Sequence, residues 1–363
     1  MADRSGTRLQ SESGRFNSYS HLMKVENYLN QRIDSASKCA LMPADHEFIK
    51  THGFSEFIVK GLLRKKFRRW AINADTRARV AKAVAQKVAA DEPLELVLPF
   101  GGYKLWRLPT TPEVDWAEFF ALNHYAHYAA PILAAYQPGV NLTLSSDDII
   151  VARMDNIDES QTRAYFDSFN KLLNFLAPHW PANYKVSIVR IGDLYRGAET
   201  EFETDLAANL RTTEAELNKD PAKLEKKDTM SLLNINWQGK DDWANFSESE
   251  RQAKIRLGAI MHDAYCALPR RREFVRGADK IVIFPSAPIR NGIPIGSTRT
   301  SITKFWTGVG VLEKNGDAYN ERILSPKQFE TANALPYEII ESNLVPLKNF
   351  RTLRIYPQPF KFV

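Results

Sequence analysis

The chain has very few cysteines: two in 363 residues, Cys39 and Cys266, far apart and in no CxxC pair. That excludes a disulfide framework and a thiolate zinc site, and it suits a reducing cytoplasm. No run approaches the ~20 apolar residues of a membrane span. The opening MADRSGTRLQSESGRF lacks the apolar core of a signal peptide, so a cytoplasmic location is expected. HExxH, a 2-His-1-carboxylate pattern, a Walker A loop, GxGxxG and an internal repeat are all missing. Charge of one sign is scarce too: 49 basic residues face 43 acidic ones, a net +6. So mild an excess favours an anionic partner such as a phosphorylated metabolite and does not require nucleic acid.

What is present is the composition of a globular enzyme, 44% hydrophobic and 25% charged. The length suffices for one large α/β domain or two smaller ones with a sizeable core. Residues 1–15, rich in Ser, Gly and Arg, are expected to be disordered, and 16–92 to be a helical N-terminal segment. FSEFIVKGLLRKKFRRW carries apolar residues at helical spacing, and RARVAKAVAQKVAA repeats the pattern. From 93 to 363 the pattern is that of an α/β catalytic domain. LELVLPF is a β-type run stopped by Pro99 and Gly101-Gly102. Thr111-Pro112-Glu113 reads as a helix start, and Gln137-Pro138-Gly139 ends that helix before the strand VNLTLSS. Asp158–Gln161 caps a further helix to Leu176, and KVSIVRI is the next strand. About 196–250 is charged, poor in β-branched residues and reads as a helical insertion. A helix from Ser247 to about Leu268 follows, then KIVIFPS, FWTGVGVLE and LRIYP as strands.

The order strand, loop with lysine, helix, strand, two carboxylates puts Lys104 and Asp147/Asp148 at the carboxyl ends of two strands, where open α/β sheets bind ligands. Lys104, after two glycines that admit close backbone approach, suits phosphate binding or imine formation; the plain alternative is a solvated loop lysine. Asp147 and Asp148 suit binding of an ammonium or general-base work, or simply a turn or cap. The placement predicts the Lys104 ammonium facing Asp147 or Asp148. Arg290, Arg299 and Lys304 lie in and beside the loop IRNGIPIGSTRTSITKFW. Its glycines and its Ser297 and Thr298 hydroxyls suit a phosphate or carboxylate, with Tyr103 a further substrate contact. His124 and His127 are three apart on a helix but lack a third ligand at metal-site spacing, so a metal-independent, cofactor-free protein is expected. The basic run Arg64, Lys65, Lys66, Arg68, Arg69 suits nucleic acid. It reads better as the charged face of a helix with Phe67 and Trp70 turned inward.

The elements resemble, in order, those of the isonitrile synthases, the pyoverdine/dityrosine biosynthesis group. LELVLPFGGYK is similar to that family's "VLPAFPxKS". PEVDWAEFFALNHYAHYAAPILAAYQPGVNLTLSSDD is similar to its stretch ending in Ser-Asp-Gly. YFDSFNKLL and RIGDLY follow in family order, and TLRIYPQP is similar to "RLSIHPQ". The chain departs from the family at Ser146-Asp147-Asp148, at Tyr356-Pro357-Gln358 where the family has His-Pro-Gln, and at Phe305-Trp306-Thr307 where it has PWH. The resemblance implies a Rossmann-like, mainly parallel sheet. It also implies condensation of an L-amino acid, aromatic ones among the candidates, with ribulose 5-phosphate to give an isonitrile, in the neighbourhood of an iron/2-oxoglutarate oxygenase. Lys104, Asp147 and Asp148 are then the expected catalytic residues, and Tyr103, Arg290, Arg299 and Lys304 the expected substrate-binding ones. The alternatives are another small-molecule enzyme on the same scaffold, acting on a phosphorylated or carboxylated substrate, or a nucleic-acid-associated protein using the Arg64–Arg69 face.

Overall fold

The structure, a computed structural model, describes residues 12–68, 70–104, 112–234, 243–285 and 292–359. Arg69, Thr111, Arg290 and most of the N-terminal segment expected to be disordered lie outside the described residues. Three helices come first: α1 (Glu12–Ser35), α2 (Pro43–Leu62) and α3 (Ala74–Ala89). α1 begins inside the segment expected to be disordered. α3 starts where the Asn73 side chain accepts the Thr76 N–H.

The centre is a five-stranded, all-parallel sheet of β1 (Leu94–Phe100), β2 (Val140–Ser146), β3 (Tyr184–Arg190), β4 (Lys280–Pro285) and β5 (Gly292–Ile295), in the order β3-β2-β1-β4-β5. Strands this rich in Val, Ile and Leu suit a sheet covered on both faces. On one face, Leu96, Leu98, Phe100, Leu142 and Leu144 pack with α4 (Trp116–Ala135) and α6 (Glu159–Leu176). On the other, Val97 and Val282 pack with α5 (Asp148–Asp155), α7 (Glu199–Asn218), α9 (Glu248–Cys266) and α10 (Pro269–Arg276). Between β3 and β4 the chain runs through α7, α8 (Pro221–Asn234), α9 and α10.

The strand order reverses at β1, so the crevice favoured for ligands lies between the carboxyl ends of β1 and β4. There the sheet splits. β1 pairs with β2 along all seven residues, but with β4 only from Glu95 to Val97. Pro99 has no N–H to extend the ladder.

The chain then forms a second sheet, which the sequence reading did not separate. It consists of β6 (Val309–Asn315), β7 (Ala318–Leu324), β8 (Glu338–Glu341) and β9 (Thr352–Tyr356), ordered β7-β6-β9-β8, with α11 (Pro326–Ala332) after β7. Gly316-Asp317, with Gly316 at φ +63°, turns the β6–β7 hairpin. Helix α4 lies between the two sheets with 16 of its 20 residues buried, as expected of a helix apolar on all sides. β6 reaches it through Gly310, where a Cβ would lie 2.3 Å from the Trp116 carbonyl carbon. The Trp116 indole donates to the Thr352 carbonyl at 2.9 Å.

Two sequence expectations are corrected here. The α4 start is not at Thr111-Pro112-Glu113: Asp115 caps it, in a reciprocal box with Glu118. The basic run is not a helical face either. α2 ends at Leu62, and the following arginines turn onto backbone carbonyls. Arg64 donates to Gly61 and Tyr128, and Arg68 to Leu63 and Trp70. Phe67 is buried as expected, against the rings of His124 and His127 at 5.2 and 5.5 Å; His124 is packed as core, while His127 stays exposed. Among the described residues no helix is long and apolar enough to cross a membrane.

Candidate active site

The turn after β1 carries Lys104 inward. Gly102, at φ +69°, has the Ser146 hydroxyl where a Cβ would stand (1.8 Å). Only glycine allows β1 to turn this close to the end of β2. Lys104 ends fully buried, its Nζ 2.7 Å from Asp115 Oδ1 and 2.8 and 3.1 Å from the two Glu118 oxygens. Tyr165 of α6 donates to Glu118 Oε1 at 3.0 Å, and the Asp115 N–H to Oε2 at 2.8 Å.

The expected pairing of Lys104 with Asp147 or Asp148 is therefore corrected. The capping box already presents two carboxylates at the start of α4, and a buried ammonium is stabilised by nearby paired charge. Burial works against the Lys104 charge, but Asp115 and Glu118 outweigh it and hold the ammonium above its ordinary range. Burial raises the Glu118 carboxyl and Asp115 adds to this, while Lys104 opposes it; the result is about 7. Both Glu118 oxygens already accept hydrogen bonds, so taking up a proton requires a donor to turn away. The Tyr165 hydroxyl is the one free to rotate.

Asp147 and Asp148 do sit at the β2 end, but they face opposite sides of the sheet, each held by an arginine. Arg271 of α10 grips Asp147 with two bonds, Nε at 2.9 Å and Nη2 at 2.7 Å, and Tyr265 of α9 donates to it at 3.0 Å. Arg190 at the end of β3 donates to Asp148 at 2.6 Å, and Ser146 does so at 3.2 Å. Arg190 also reaches Glu159 at the start of α6, at 3.3 Å. Burial raises the Asp148 carboxyl, with Arg190 opposing.

Aromatic residues close on the crevice beside β1. Phe305 and Trp306 pack on Phe100, each at 5.6 Å, and Trp306 also meets Phe284 of β4 at 6.1 Å. The Lys304 ammonium lies 5.7 Å from the Trp306 ring and 6.0 Å from that of Phe284, so this lysine stands at the mouth of the split. Tyr103 is buried against Gly101. Arg299 is exposed. Of the two hydroxyls expected to cradle a phosphate, Thr298 donates to the Glu321 carbonyl of β7, as the neighbouring Thr300 also does, and Ser297 is fully buried. That stretch docks the second sheet instead.

Sequence reading missed Asp115, Glu118, Tyr165, Arg190, Arg271 and Tyr265 as partners. One signal was available: Glu118 is the lone carboxylate on a helix that is otherwise almost wholly apolar.

Neither a protein-family model nor a curated protein sequence matches the chain. Among solved structures, the chain is similar to the crystal structure of the PvcA protein from Pseudomonas aeruginosa. The TM-score is 0.63 at 19% identity, and the match covers 84% of this chain and 100% of that one. At such identity the likeness establishes a shared fold: the mostly parallel α/β architecture described above.

Proposed function

We propose that the protein is an isonitrile-synthase-like biosynthetic enzyme that condenses an L-amino acid with ribulose 5-phosphate. The observation that carries this reading is the buried Lys104–Asp115–Glu118–Tyr165 cluster. It is joined by the Gly101-Gly102 turn to the crevice where the sheet order reverses, inside the segment whose sequence resembles the isonitrile synthases. The fold likeness to PvcA over most of the chain supports the same reading.

Condensation of an amine with a ketone needs a group that takes a proton from the ammonium and returns one to the departing hydroxyl. A carboxyl near 7 matches that task at neutral pH. Lys104 is assigned the role of a fixed positive charge that sets the Glu118 proton affinity. An enzyme-bound imine at Lys104 is not part of this proposal, since its ammonium is buried between two carboxylates and held charged. Lys304, flanked by Trp306 and Phe284, and the exposed Arg299 are assigned to the sugar phosphate, with Tyr103 at the inner wall. Asp147 and Asp148, clamped by Arg271 and Arg190 on opposite sides of the sheet, are assigned to holding the strand edge in shape.

The test is to incubate purified protein with pooled L-amino acids and ribulose 5-phosphate and to follow the amino acids by mass spectrometry. A product with the isonitrile mass change is expected. Unchanged amino acids with every pool member would overturn the reading. Strong binding to DNA or RNA with a steep salt slope would replace it with the nucleic-acid alternative.

A further inference from the structure

Helix α9 ends in HDAYC, and its i and i+4 positions bring His262 and Cys266 onto one face. Cys266 Sγ lies 3.9 Å from His262 Nε2 and 4.0 Å from Nδ1. Both ring nitrogens therefore stand within contact distance of the sulfur. His262 Nδ1 is 3.6 Å from Asp263 Oδ1, and that carboxylate takes the Lys227 ammonium of α8 at 2.7 Å. The next residue back from Cys266 is Tyr265, which bonds Asp147. Arg271, bidentate on that same Asp147, acts on the sulfur from α10. Cys266 is partly exposed and the His262 side chain about half exposed, at 49%, so a small electrophile reaches both.

We propose that Cys266 is a peroxide-reactive thiol, with His262 as its proton donor, set beside the Asp147–Arg271 pair at the strand edge. The thiolate attacks one peroxide oxygen and the O–O bond breaks. The sulfur is oxidised to sulfenic acid and the peroxide reduced. The departing hydroxide or alkoxide takes the His262 proton and leaves as water or alcohol. Cys39 does not resolve the product, because it sits with Leu133 and Pro181 at the amino ends of the strands, the opposite edge of the sheet. The sulfenic acid is therefore consumed by an external thiol, giving a mixed disulfide and water. Either product adds bulk next to the Arg271 that grips Asp147, so oxidation reports on the candidate site. This inference does not depend on the reaction proposed above.

The surrounding charges agree with it. Burial raises the Cys266 thiol, but Arg271 and His262 outweigh burial and the opposing Asp147 and bring it to about 7. Cys266 first, with Asp263, holds the His262 imidazole up, to about 10. An ordinary thiol titrates near ~8.5 and a lower pKa weakens the nucleophile, so the net gain in rate at pH 7 is only about threefold. The midpoint of the pH profile is the sharper readout.

The experiment alkylates the intact protein with iodoacetamide from pH 5 to 9.5 (approximate limits set around the thiol range) and reads each cysteine by peptide mass spectrometry. Cys39 serves as the internal comparison. A Cys266 midpoint near 7 is expected, moving up toward the ordinary value in His262→Gln, a substitution at a half-exposed position. Hydrogen peroxide followed by dimedone should label Cys266 before Cys39. A wild-type midpoint at the ordinary thiol value, a midpoint unmoved by His262→Gln, or dimedone labelling of Cys266 no faster than Cys39 would each overturn the proposal. The wild-type comparison stands without the variant.

Discussion

At the scale of single residues, Lys104 decides how this site behaves. A loop lysine removed from a surface costs little, but this one is buried against two carboxylates. Lys104→Ala should lower stability by about 3–5 kcal/mol, since it strands buried negative charge. Denaturant unfolding of the two proteins checks this, and a loss under ~1 kcal/mol, the size of a surface pair, would contradict the geometry. Glu118 gives a second prediction. Its folded carboxyl is raised to about 7 from an ordinary 4.5, so between these values the folded state binds more protons than the unfolded one. Its contribution to stability is thus fully present below pH 4.5 and is lost as pH rises through 7. Melting temperature measured from pH 5 to 8 should lose that component in Glu118→Gln, a tenfold difference in proton affinity between the folded and unfolded states being worth about 1.4 kcal/mol. Parallel curves for the two proteins would show that Glu118 does not titrate there. The position of Lys104 was legible in the sequence, because a β-run followed by two glycines marks a strand end. Its partners were not. Asp115 and Glu118 look like a helix cap and nothing more, and Tyr165 enters only through folding, 47 residues from Glu118.

Among the elements, the β1–β2 edge makes the site possible. Gly102 combines a left-handed φ with contact against Ser146. Gly102→Ala should cost at least the ~1–2 kcal/mol of backbone strain at such an angle, and more through displacement of Ser146 and Lys104. The melting temperature should fall by about 1–3 °C from the strain alone, as expected for a loss of this size in a chain this long, and Gly197→Ala serves as a contrast. Gly197 also has positive φ, but no atom lies within 4 Å of its would-be Cβ, so it bears the strain alone. Equal losses at the two positions would mean the close approach at Gly102 is unimportant. Most central strands and helices were legible because their signals are local: apolar β-runs bounded by Pro and Gly, and caps such as Asp158 and Ser247. β7 and β8 were not. AYNERIL and EIIE mix charges into short strands, and their identity comes from pairing in a sheet rather than from their own composition. The basic run after α2 misled for a related reason. Helical spacing there is real, but Arg64 and Arg68 satisfy carbonyls left open where the helix stops.

On the scale of the whole molecule, the parallel sheet supplies a crevice at its order reversal, and the connection from β5 to the second sheet, which docks through α4, places Lys304 and Trp306 at its mouth. Lys304→Met should therefore weaken ribulose 5-phosphate binding by about 1.5–3 kcal/mol, the worth of a hydrogen bond to a charged group. Arg299→Ala, on an exposed loop, should weaken it less. Calorimetric titration of the two variants and the wild type ranks them, and equal affinities throughout would place the phosphate elsewhere. That the α/β core would form was readable from its runs of Val, Ile and Leu. That a second sheet would dock beside it was not, since the approach depends on Gly310 meeting Trp116. The most direct test of the central claim is to supply ribulose 5-phosphate labelled with ¹³C at its ketone carbon, together with the amino acid that the pool experiment selects. Condensation at that ketone bonds the labelled carbon to nitrogen. The account predicts an isonitrile product carrying the label on its terminal carbon, visible by ¹³C NMR and as a one-dalton shift in mass. An unlabelled product, or no product from any amino acid while the sugar phosphate remains intact, would contradict it.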